Sequence, residues 1–421
     1  MSRKPARETY DADVLLMPLR GETTHVYALF KLTYAISSNG RCTRTTPEPL
    51  LHDWRDPGVD RPLLGGSDYW LVKPRTDLVV QGDAHAAGGR PVERMRVAVT
   101  LGKISKEIAV SGPRAITWVN GRPVIGEPQL FEKIPMAWTE AYGGIDWRVP
   151  VPGADTMSDN DKLAMAIRTK FDHPGMYPRN PFGCGYLVVP GEVPKMLAPS
   201  LEDPSDLLTS ERLILGDPAA WPRQPMPWCF DWTNLVMFPR AGWFDPGVEP
   251  WYPVADEKSL AEIKRGWLPA DHRKNRVNGC DPRFFQGASH GLAIERPAAG
   301  QTLRIIGMHP DRPTLDIVLP PTQAEITFII EGKSTRQAAR LHHVVVRPTD
   351  EVLTMVFAAE VPLPRPFIPG IHKFIPVAAS LDGDTPVDFL TPPTARERIA
   401  QADSKADSKA DSKAEKKSEP T

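Results

Sequence analysis

Apolar and polar residues alternate along the first third of the chain. Every second residue of segment 25–36 is apolar, and this set consists of Val26, Ala28, Phe30, Leu32, Tyr34 and Ile36. Successive side chains of a strand point to opposite faces of its sheet, so the set lies on one face. Segment 94–101 shows the same pattern, and Gly102-Lys103 separates it from a second alternating run that ends at Val110. Two such runs around a short break predict a β-hairpin.

Further strands are predicted on both sides of the middle of the chain. Residues 69–72 and 78–80 form two short apolar runs, separated by the predicted turn Lys73-Pro74-Arg75-Thr76-Asp77. After residue 301, short apolar runs follow one another at 303–306, 315–319, 326–330, 341–346 and 352–357. Short strands at this spacing are typical of antiparallel sheets and sandwiches.

The middle of the chain lacks this alternation and is rich in proline and tryptophan. Six of the 11 tryptophans lie between residues 155 and 278, namely Trp221, Trp228, Trp232, Trp243, Trp251 and Trp267. Frequent proline excludes helix interiors and central strands, so we expect an ordered, loop-rich layer. The spacing of Leu260, Ile263 and Trp267 predicts one short helix over 259–267. The tryptophans of this layer either plug the core or form a protein-binding surface.

These patterns predict a mainly β protein with antiparallel, sandwich-like sheets, few short helices and long loops rich in proline and tryptophan. The expected segments are an N-terminal segment (1–13), an N-terminal β-rich half (14–154), the loop-rich middle (155–300), a C-terminal β-rich part (301–364) and an extended exit segment (365–402). Ala-Asp-Ser-Lys repeats three times from Ala402 through Lys413, this part of the chain has almost no apolar surface, and we expect a disordered tail over residues 403–421.

Composition and charge narrow the class of protein. The 421 residues include 51 Lys and Arg against 52 Asp and Glu, and 41% are hydrophobic. This near-neutral balance lacks the basic surface that nucleic acids and anionic membranes attract. The N-terminus has no apolar secretory signal, and no run approaches the ~18–20 apolar residues of a membrane span. We therefore expect a cytoplasmic protein that binds neither nucleic acid nor membrane.

Candidate catalytic and metal-binding residues are few. The four cysteines are scattered without a Cys-x-x-Cys pair, and the adjacent His342 and His343 would point to opposite faces of a strand. Asp281, Ser289 and His290 supply the residue types of a hydrolytic site, but no Gly-x-Ser-x-Gly turn accompanies them. We expect no catalytic residue, no cofactor and no metal, which favours a binding protein over an enzyme.

Two glycine motifs superficially resemble phosphate-binding loops. They are Ala141-Tyr142-Gly143-Gly144 and Asn180-Pro181-Phe182-Gly183-Cys184-Gly185. Neither contains the Gly-x-x-x-x-Gly-Lys-Ser/Thr sequence, and neither lies between a clear strand and a helix. Glycine is therefore predicted to provide positive φ or close backbone approach in tight turns.

Several of these segments, taken in order, resemble the bacterial family called domain of unknown function 2169. They are strand 26–34 with Lys31, segment 68–82 with Lys73, Thr76 and Asp77, hairpin 97–112, Tyr142-Gly143-Gly144, Asn180-Pro181 with Gly183 and Gly185, Phe284-Phe285-Gln286-Gly287-Ala288, and the late strands 341–357. The resemblance covers about residues 14–364 and leaves out the proline-rich exit segment and the repeat tail.

The resemblance implies an adaptor or loading chaperone of type VI secretion that acts in the cytoplasm. Such proteins are typically encoded beside VgrG-type spike genes and effectors with PAAR-like domains, and they help mount an effector on the spike. The implied partners are therefore a secreted effector, bound through a PAAR-like or N-terminal region, and the spike proteins. A mechanism that fits is shielding of an apolar effector segment by β-strand addition to an exposed edge.

The residues that we expect to form the family motif and to contact a partner come from all of these segments. They are Lys31, Lys73, Thr76, Asp77, Tyr142, Gly143, Gly144, Asn180, Pro181, Gly183, Gly185, Trp228, Trp232, Trp243, Phe285 and Gln286. Two alternative functions stay open on the sequence. One is a hydrolase or toxin with a site near Asp281, Ser289 and His290, and the other is a carbohydrate-binding β protein whose tryptophans stack on sugar rings.

Overall fold

The computed structural model describes residues 10–20, 23–51, 66–70, 72–150, 173–238, 240, 282–364, 375, 377–381 and 387–388. Within these residues the protein consists mainly of β-strands with a few short 3-10 helices, which confirms the predicted fold class. Trp243, Asp281, the predicted helix at 259–267, most of segment 365–402 and the repeat tail lie outside the described residues.

The largest sheet combines strands from both ends of the chain. These strands are β1 (Asp11–Arg20), β2 (Thr23–Ile36), β3 (Cys42–Arg44), β4 (Thr76–Val80), β15 (Ala293–Ile294), β18 (Ala324–Ile330), β19 (Lys333–Arg347), β20 (Val352–Pro362), β21 (Val377–Leu381) and β22 (Val387–Asp388). Their order is β1–β2–β20–β19–β18–β21–β22; β3 pairs with β2, and β4 pairs with β15 and β19. Strand β4 runs parallel to β19, which places residues 77–80 beside residues 343–346.

The other strands form smaller sheets. These strands are β5 (Asp83–His85), β6 (Arg94–Leu101), β7 (Ile104–Ser111), β8 (Arg114–Val119), β9 (Arg122–Ile125), β10 (Lys133–Pro135), β11 (Tyr142–Gly143), β12 (Cys184–Gly185), β13 (Leu197–Ala198), β14 (Leu201–Glu202), β16 (Thr302–Ile306) and β17 (Thr314–Val318). They are arranged as β14–β7–β6–β16–β17, β13–β8–β9, β10–β5 and β11–β12.

Short 3-10 helices span Ala87–Gly89, Trp138–Glu140, Ser210–Arg212, Pro218–Arg223 and Pro282–Phe285. None of the helices in the described residues is long and apolar enough to cross a membrane.

The alternation predicted for residues 25–36 is confirmed by strand β2. Its even-numbered side chains enter the largest core cluster, where Phe30 stacks on Phe357 of β20 with ring centroids 5.1 Å apart. Tyr27 and Leu29 belong to a separate cluster on the opposite face. Because β2 is covered on both faces, its odd-numbered face is mixed rather than polar.

The predicted hairpin over residues 94–110 is also confirmed. Strands β6 and β7 pair antiparallel, from Arg94↔Ser111 to Leu101↔Ile104. Gly102 at the turn has a φ of 59°, a left-handed conformation that glycine adopts without the steric cost of a Cβ.

Two strand predictions need correction. Residues 69, 70 and 72 form no strand; the Trp70 ring packs instead against the Phe285 ring with centroids 6.0 Å apart. Strand β19 begins at Lys333, well before the apolar run at 341–346 from which it was predicted. The side chains of 333–338 are exposed, and five of these six residues are polar, although their backbone pairs with β18. Hydropathy cannot detect a strand segment that buries neither face.

The neighbouring residues Phe328 and Ile329 of β18 allow a direct test of which side chains of this strand point into the core. Phe328 is fully buried in the core, whereas Ile329 is 43% exposed. We predict that Phe328→Ala lowers the free energy of unfolding by about 3–5 kcal/mol, because it removes buried apolar surface and leaves a cavity. Ile329→Ala should cost less than about 1 kcal/mol. Urea unfolding followed by tryptophan fluorescence measures both losses, and equal losses would contradict the assigned facing.

Candidate functional site

The buried carboxylate of Asp77 joins two segments that lie 209–211 residues apart in sequence. Its side chain is 0% exposed, and Lys73 Nζ lies 2.5 Å from Oδ2. The N–H groups of Gly287 and Ala288 donate to its two oxygens at 2.8 and 3.0 Å, and the side-chain amide of Gln286 donates to Oδ1 at 2.6 Å. We call these five residues the Asp77 network. It fastens strand β4 to the loop 286–288.

The protonation state of Asp77 follows from these donors. Burial alone would raise the pKa of Asp77, but the Lys73 ammonium and the N–H groups of Gly287 and Ala288 outweigh burial and hold this pKa below its usual value. The carboxylate is therefore ionised at neutral pH. A buried ion is tolerated when it is both charge-paired and hydrogen-bonded, and Asp77 meets both conditions.

The residues between Lys73 and Asp77 form hydrogen bonds with two further parts of the chain. The N–H of Arg75 donates to Oε1 of Gln286 at 2.7 Å, and Nε2 of Gln286 donates to the Arg75 carbonyl at 3.2 Å. The hydroxyl of Thr76 donates to the Leu341 carbonyl at 2.8 Å, which ties β4 to β19. Residues 73–77, which the sequence predicts as a turn, therefore connect β4, β19 and the loop 286–288. We call this connection the joint.

A second buried carboxylate, Asp68, contacts side chains of β2 and β19. Lys31 Nζ from β2 is 3.1 Å from its Oδ2, and His343 Nε2 is 2.8 Å from its Oδ1. The N–H of Leu51 also donates to Oδ2, at 2.8 Å. Burial would raise the pKa of Asp68, but His343, Lys31 and the Leu51 N–H together lower it to about 2. We call these four residues the Asp68 network. It positions Lys31 in the protein interior.

The indole of Trp232 lies between the two networks. Lys73 Nζ is 4.8 Å from its ring centroid, and the His343 ring centroid is 5.1 Å away. A Cβ atom added at Gly66 or at Gly287 would lie only 2.7 Å from atoms of this indole. Trp232 is 6% exposed, so of the two roles considered for the tryptophans it has the core role.

The two glycine motifs meet each other in a second region. Strands β11 and β12 pair in parallel, with Gly143 opposite Gly185. Between them, Nδ2 of Asn180 donates to the carbonyls of Trp138 and Tyr142 at 2.7 and 3.1 Å. We call residues 142–144 and 180–185 the glycine cluster. Trp138 links this cluster to the networks, since its indole N–H donates to the Trp232 carbonyl at 2.7 Å.

Close backbone approach explains why glycine is needed in this cluster. Gly143 has a φ of 150°, and a Cβ atom there would lie 2.1 Å from the Asn180 carbonyl oxygen. At Gly183 the corresponding atom would lie 2.3 Å from the Ala141 carbonyl oxygen. Neither distance is sterically possible, which confirms the structural role predicted for glycine in the two motifs.

A cavity of about 190 Å³ lies beside the Asp77 network. Gln286 lines it on the network side and Trp138 on the side of the cluster, together with methionine, phenylalanine and arginine side chains. Two of these arginines, Arg179 and Arg240, are buried and donate to backbone carbonyls of Gln224 and Thr233 respectively. A concave wall of aromatic, methionine and guanidinium groups is typical of binding surfaces.

Ser289, the hydroxyl residue of the hydrolase alternative, is 1% exposed. Its Oγ accepts a hydrogen bond from Lys106 Nζ at 3.0 Å, and Lys106 also donates to the His290 carbonyl at 2.9 Å. The Lys106 ammonium lies 4.2 Å from the Trp228 ring centroid, and burial lowers the pKa of Lys106 to about 7. Trp228 thus covers a buried lysine. In the described part of the chain, no three His, Cys, Asp or Glu side chains are grouped closely enough to hold a metal ion.

The structure gathers most of the motif residues into these two regions. Lys31, Lys73, Thr76, Asp77, Trp232, Phe285 and Gln286 lie in or against the two carboxylate networks, and Tyr142, Gly143, Gly144, Asn180, Pro181, Gly183 and Gly185 lie in the glycine cluster. The side chains of Lys73 and Asp77 are fully buried, so they organise the region rather than form its surface.

Sequence reasoning missed three residues that complete the region. Asp68 carries the second network, Trp138 joins the networks to the glycine cluster, and Arg240 lines the cavity. Asp68 opens segment 68–82 of the family resemblance, which was a usable signal. Trp138 and Arg240 stand in no periodic pattern, and their partners are distant in sequence, so no local signal marks them.

The comparison with protein families agrees with the resemblance found in the sequence. The model of a family described as an uncharacterised protein conserved in bacteria, DUF2169, matches residues 21–358. Because the match spans most of the chain, the protein belongs to this family. The matched range includes both carboxylate networks, the glycine cluster and the cavity. No curated protein and no solved structure is significantly similar to this chain.

We predict that Asp77→Asn lowers the free energy of unfolding by about 3–5 kcal/mol, because the Lys73 ammonium stays buried without a compensating charge. Adding Lys73→Met to this variant should recover part of the loss, since the uncompensated charge is then gone. Urea unfolding measures both variants. Asp316→Asn is the matched control, because it removes the carboxylate of the exposed Arg304–Asp316 pair and should change stability little. An Asp77→Asn protein as stable as this control would contradict the role assigned to the network.

Proposed function

We propose that this DUF2169 protein is a non-catalytic adaptor of type VI secretion that acts in the cytoplasm. It binds a secreted effector through a PAAR-like or N-terminal region of that effector and helps to load it onto the VgrG spike. The observation that carries the proposal is the cavity beside the Asp77 network, whose wall combines tryptophan, methionine and arginine side chains. Aromatic residues, methionine and arginine are enriched at protein–protein interfaces.

The way in which this wall is held supports a binding role. Gln286 belongs both to the wall and to the Asp77 network, and Trp138 is hydrogen-bonded to Trp232 and to Asn180. Side chains fixed in this way lose little conformational entropy when a partner docks, so more of the contact energy contributes to affinity. A preformed surface suits a protein that must hold a cargo until it is transferred.

We expect the genes for the effector with a PAAR-like domain and for its VgrG spike to lie beside the gene for this protein, and the test uses these two proteins. We predict that addition of this protein raises the amount of effector retained on immobilised spike by about tenfold or more, because it presents the effector in a loading-competent form. Quantitative pull-down from purified components measures the retained amount. Equal retention with and without this protein would contradict the proposal.

A pair of arginine variants connects the effect to the cavity. Arg283 lines the cavity, whereas Arg304 is exposed on strand β16 and pairs with Asp316. Arg283→Glu should reduce effector retention, while Arg304→Glu should leave it unchanged. The thermal unfolding midpoint of each variant shows whether its fold is intact.

A further inference from the structure

The first part of strand β19 pairs with a neighbouring strand on one side only. Residues 333–339 pair antiparallel with β18. Pairing with β20 begins at Arg340, and pairing with β4 begins at His343. On the side away from β18, no strand of the described chain therefore pairs with residues 333–339. We call this side, at residues 334–338, the open edge.

The turn between β18 and β19 determines which main-chain groups point to the open edge. Glu331 and Gly332 have φ values of 49° and 79°, both positive, as in the type I′ turn of a two-residue hairpin. In such a turn the N–H of Lys333 donates to the Ile330 carbonyl, which lies on β18. Main-chain groups alternate in direction along a strand, so every second residue after Lys333 also bonds to β18. The N–H and C=O groups that point to the open edge are those of Ser334, Arg336 and Ala338.

The open edge is accessible to another chain. The side chains of residues 333–338 are exposed on β19. A cavity of about 170 Å³ also adjoins the edge, where Gln337, Ala338 and Arg340 line it. Unpaired N–H and C=O groups on an exposed edge are a template for a further strand. An antiparallel strand opposite residues 334–338 would form about six main-chain hydrogen bonds with it.

The charge of β19 at the open edge defines the kind of strand that fits. Residues 333–340 include Lys333, Arg336 and Arg340 and no acidic residue. Arg336 and Arg340 lie on the same face of β19, because they are an even number of residues apart. Arg336 forms an exposed pair with Glu325 of β18 at 3.7 Å, whereas Arg340 forms no ion pair with any residue that the structure describes. Carboxylates opposite these arginines on an added strand would form favourable cross-strand pairs.

The same charges disfavour a second copy of this chain as the occupant. Antiparallel pairing of two open edges centred on Arg336 would place the two Arg336 side chains directly opposite each other. Like charges in this position destabilise a sheet, and basic residues on an edge are one means by which proteins prevent self-association. An acidic strand of a different protein meets no such repulsion.

We propose that an extended, acidic segment of the effector adds to the open edge of β19 at residues 334–338 and places carboxylates opposite Arg336 and Arg340. This inference rests on the proposed function, because the occupant is the effector. In this mode of recognition main-chain hydrogen bonds supply affinity and individual side chains set specificity. The two arginines therefore fix the register of the added strand.

Residue-resolved hydrogen–deuterium exchange of the full chain, with and without the effector, tests the open edge. We expect the amides of Ser334, Arg336 and Ala338 to exchange about tenfold or more slowly in the complex, because they become hydrogen-bonded. The amides of Thr335 and Gln337 already donate to β18 and should change much less.

The outcomes of this experiment separate the two proposals. An effector that binds without slowing exchange of the three edge amides overturns this inference alone, whereas an effector that does not bind overturns the proposed function. If the edge amides of the free protein are as protected as those of Thr335 and Gln337, the edge is already paired, which also overturns the inference.

Two substitutions of Ala338 test the main-chain contacts without changing the charge. Ala338→Pro removes an N–H that points away from β18, so it should preserve the hairpin but block the open edge. We expect this variant to weaken effector affinity about tenfold or more, measured by calorimetry. Ala338→Ser keeps the N–H and should stay within about twofold of the wild type. Equal affinities of the two variants would overturn strand addition at this edge.

A pair of basic residues tests the preference for an acidic strand. Arg340→Glu reverses a charge beside the open edge and should weaken effector affinity about tenfold at low salt. Lys103→Glu makes a comparable change at the exposed β6–β7 turn of a different sheet and should stay within about twofold of the wild type. An Arg340→Glu protein that binds the effector as tightly as the Lys103→Glu protein would overturn the assigned role of Arg340.

Discussion

The architecture depends on how the carboxylate of Asp77 is satisfied. A buried, unpaired charge would cost several kcal/mol. Strand β4 can therefore lie in the interior only where hydrogen-bond donors and an opposite charge surround the Asp77 carboxylate. Lys73 supplies the opposite charge, and Gly287 and Ala288 supply backbone donors from a segment distant in sequence. A shift of β4 by one residue would turn the Asp77 side chain to the opposite face of the sheet and away from these donors. The network therefore selects a single arrangement of the two segments, whatever its net contribution to stability.

Trp232 connects this joint to the Asp68 network and to the glycine cluster. Trp232 packs against Lys73 on one side and against His343 of the Asp68 network on the other. Its carbonyl accepts from Trp138, whose own carbonyl accepts from Asn180 of the glycine cluster. A continuous chain of polar contacts thus runs from β4 to the glycine cluster and passes along the wall of the cavity. These contacts hold Trp138 in place at the wall of the cavity.

Sequence reasoning succeeded where side-chain burial has a simple period. Strand β2 and the β6–β7 hairpin were found because one set of alternate residues enters the core. It failed where burial and hydropathy disagree. Lys73 and Asp77 are fully buried although both are charged, so their segment was predicted as a turn. Residues 333–338 form a strand although their side chains are exposed, so the start of β19 was missed.

Most residues of the candidate site were predicted from the family resemblance. The resemblance did not predict how these residues are arranged in space. The resemblance contains both Asp77 and Gln286 but carries no information that their side chains touch across 209 residues of sequence. Likewise, the glycines of the two motifs were predicted to relieve crowding, but each motif's partner proved to be the other motif. Such pairings are tertiary and leave no local periodicity.

Amide exchange at Gly287 and Ala288 in the native protein tests the central role of Asp77 most directly. Both N–H groups donate to its buried carboxylate, so their exchange should require opening of the joint. We predict protection of these two amides comparable to that of residues 344–346 in the centre of β19. Exchange of the two amides as rapid as that of exposed loop amides would show that the joint is open in solution and would contradict the account.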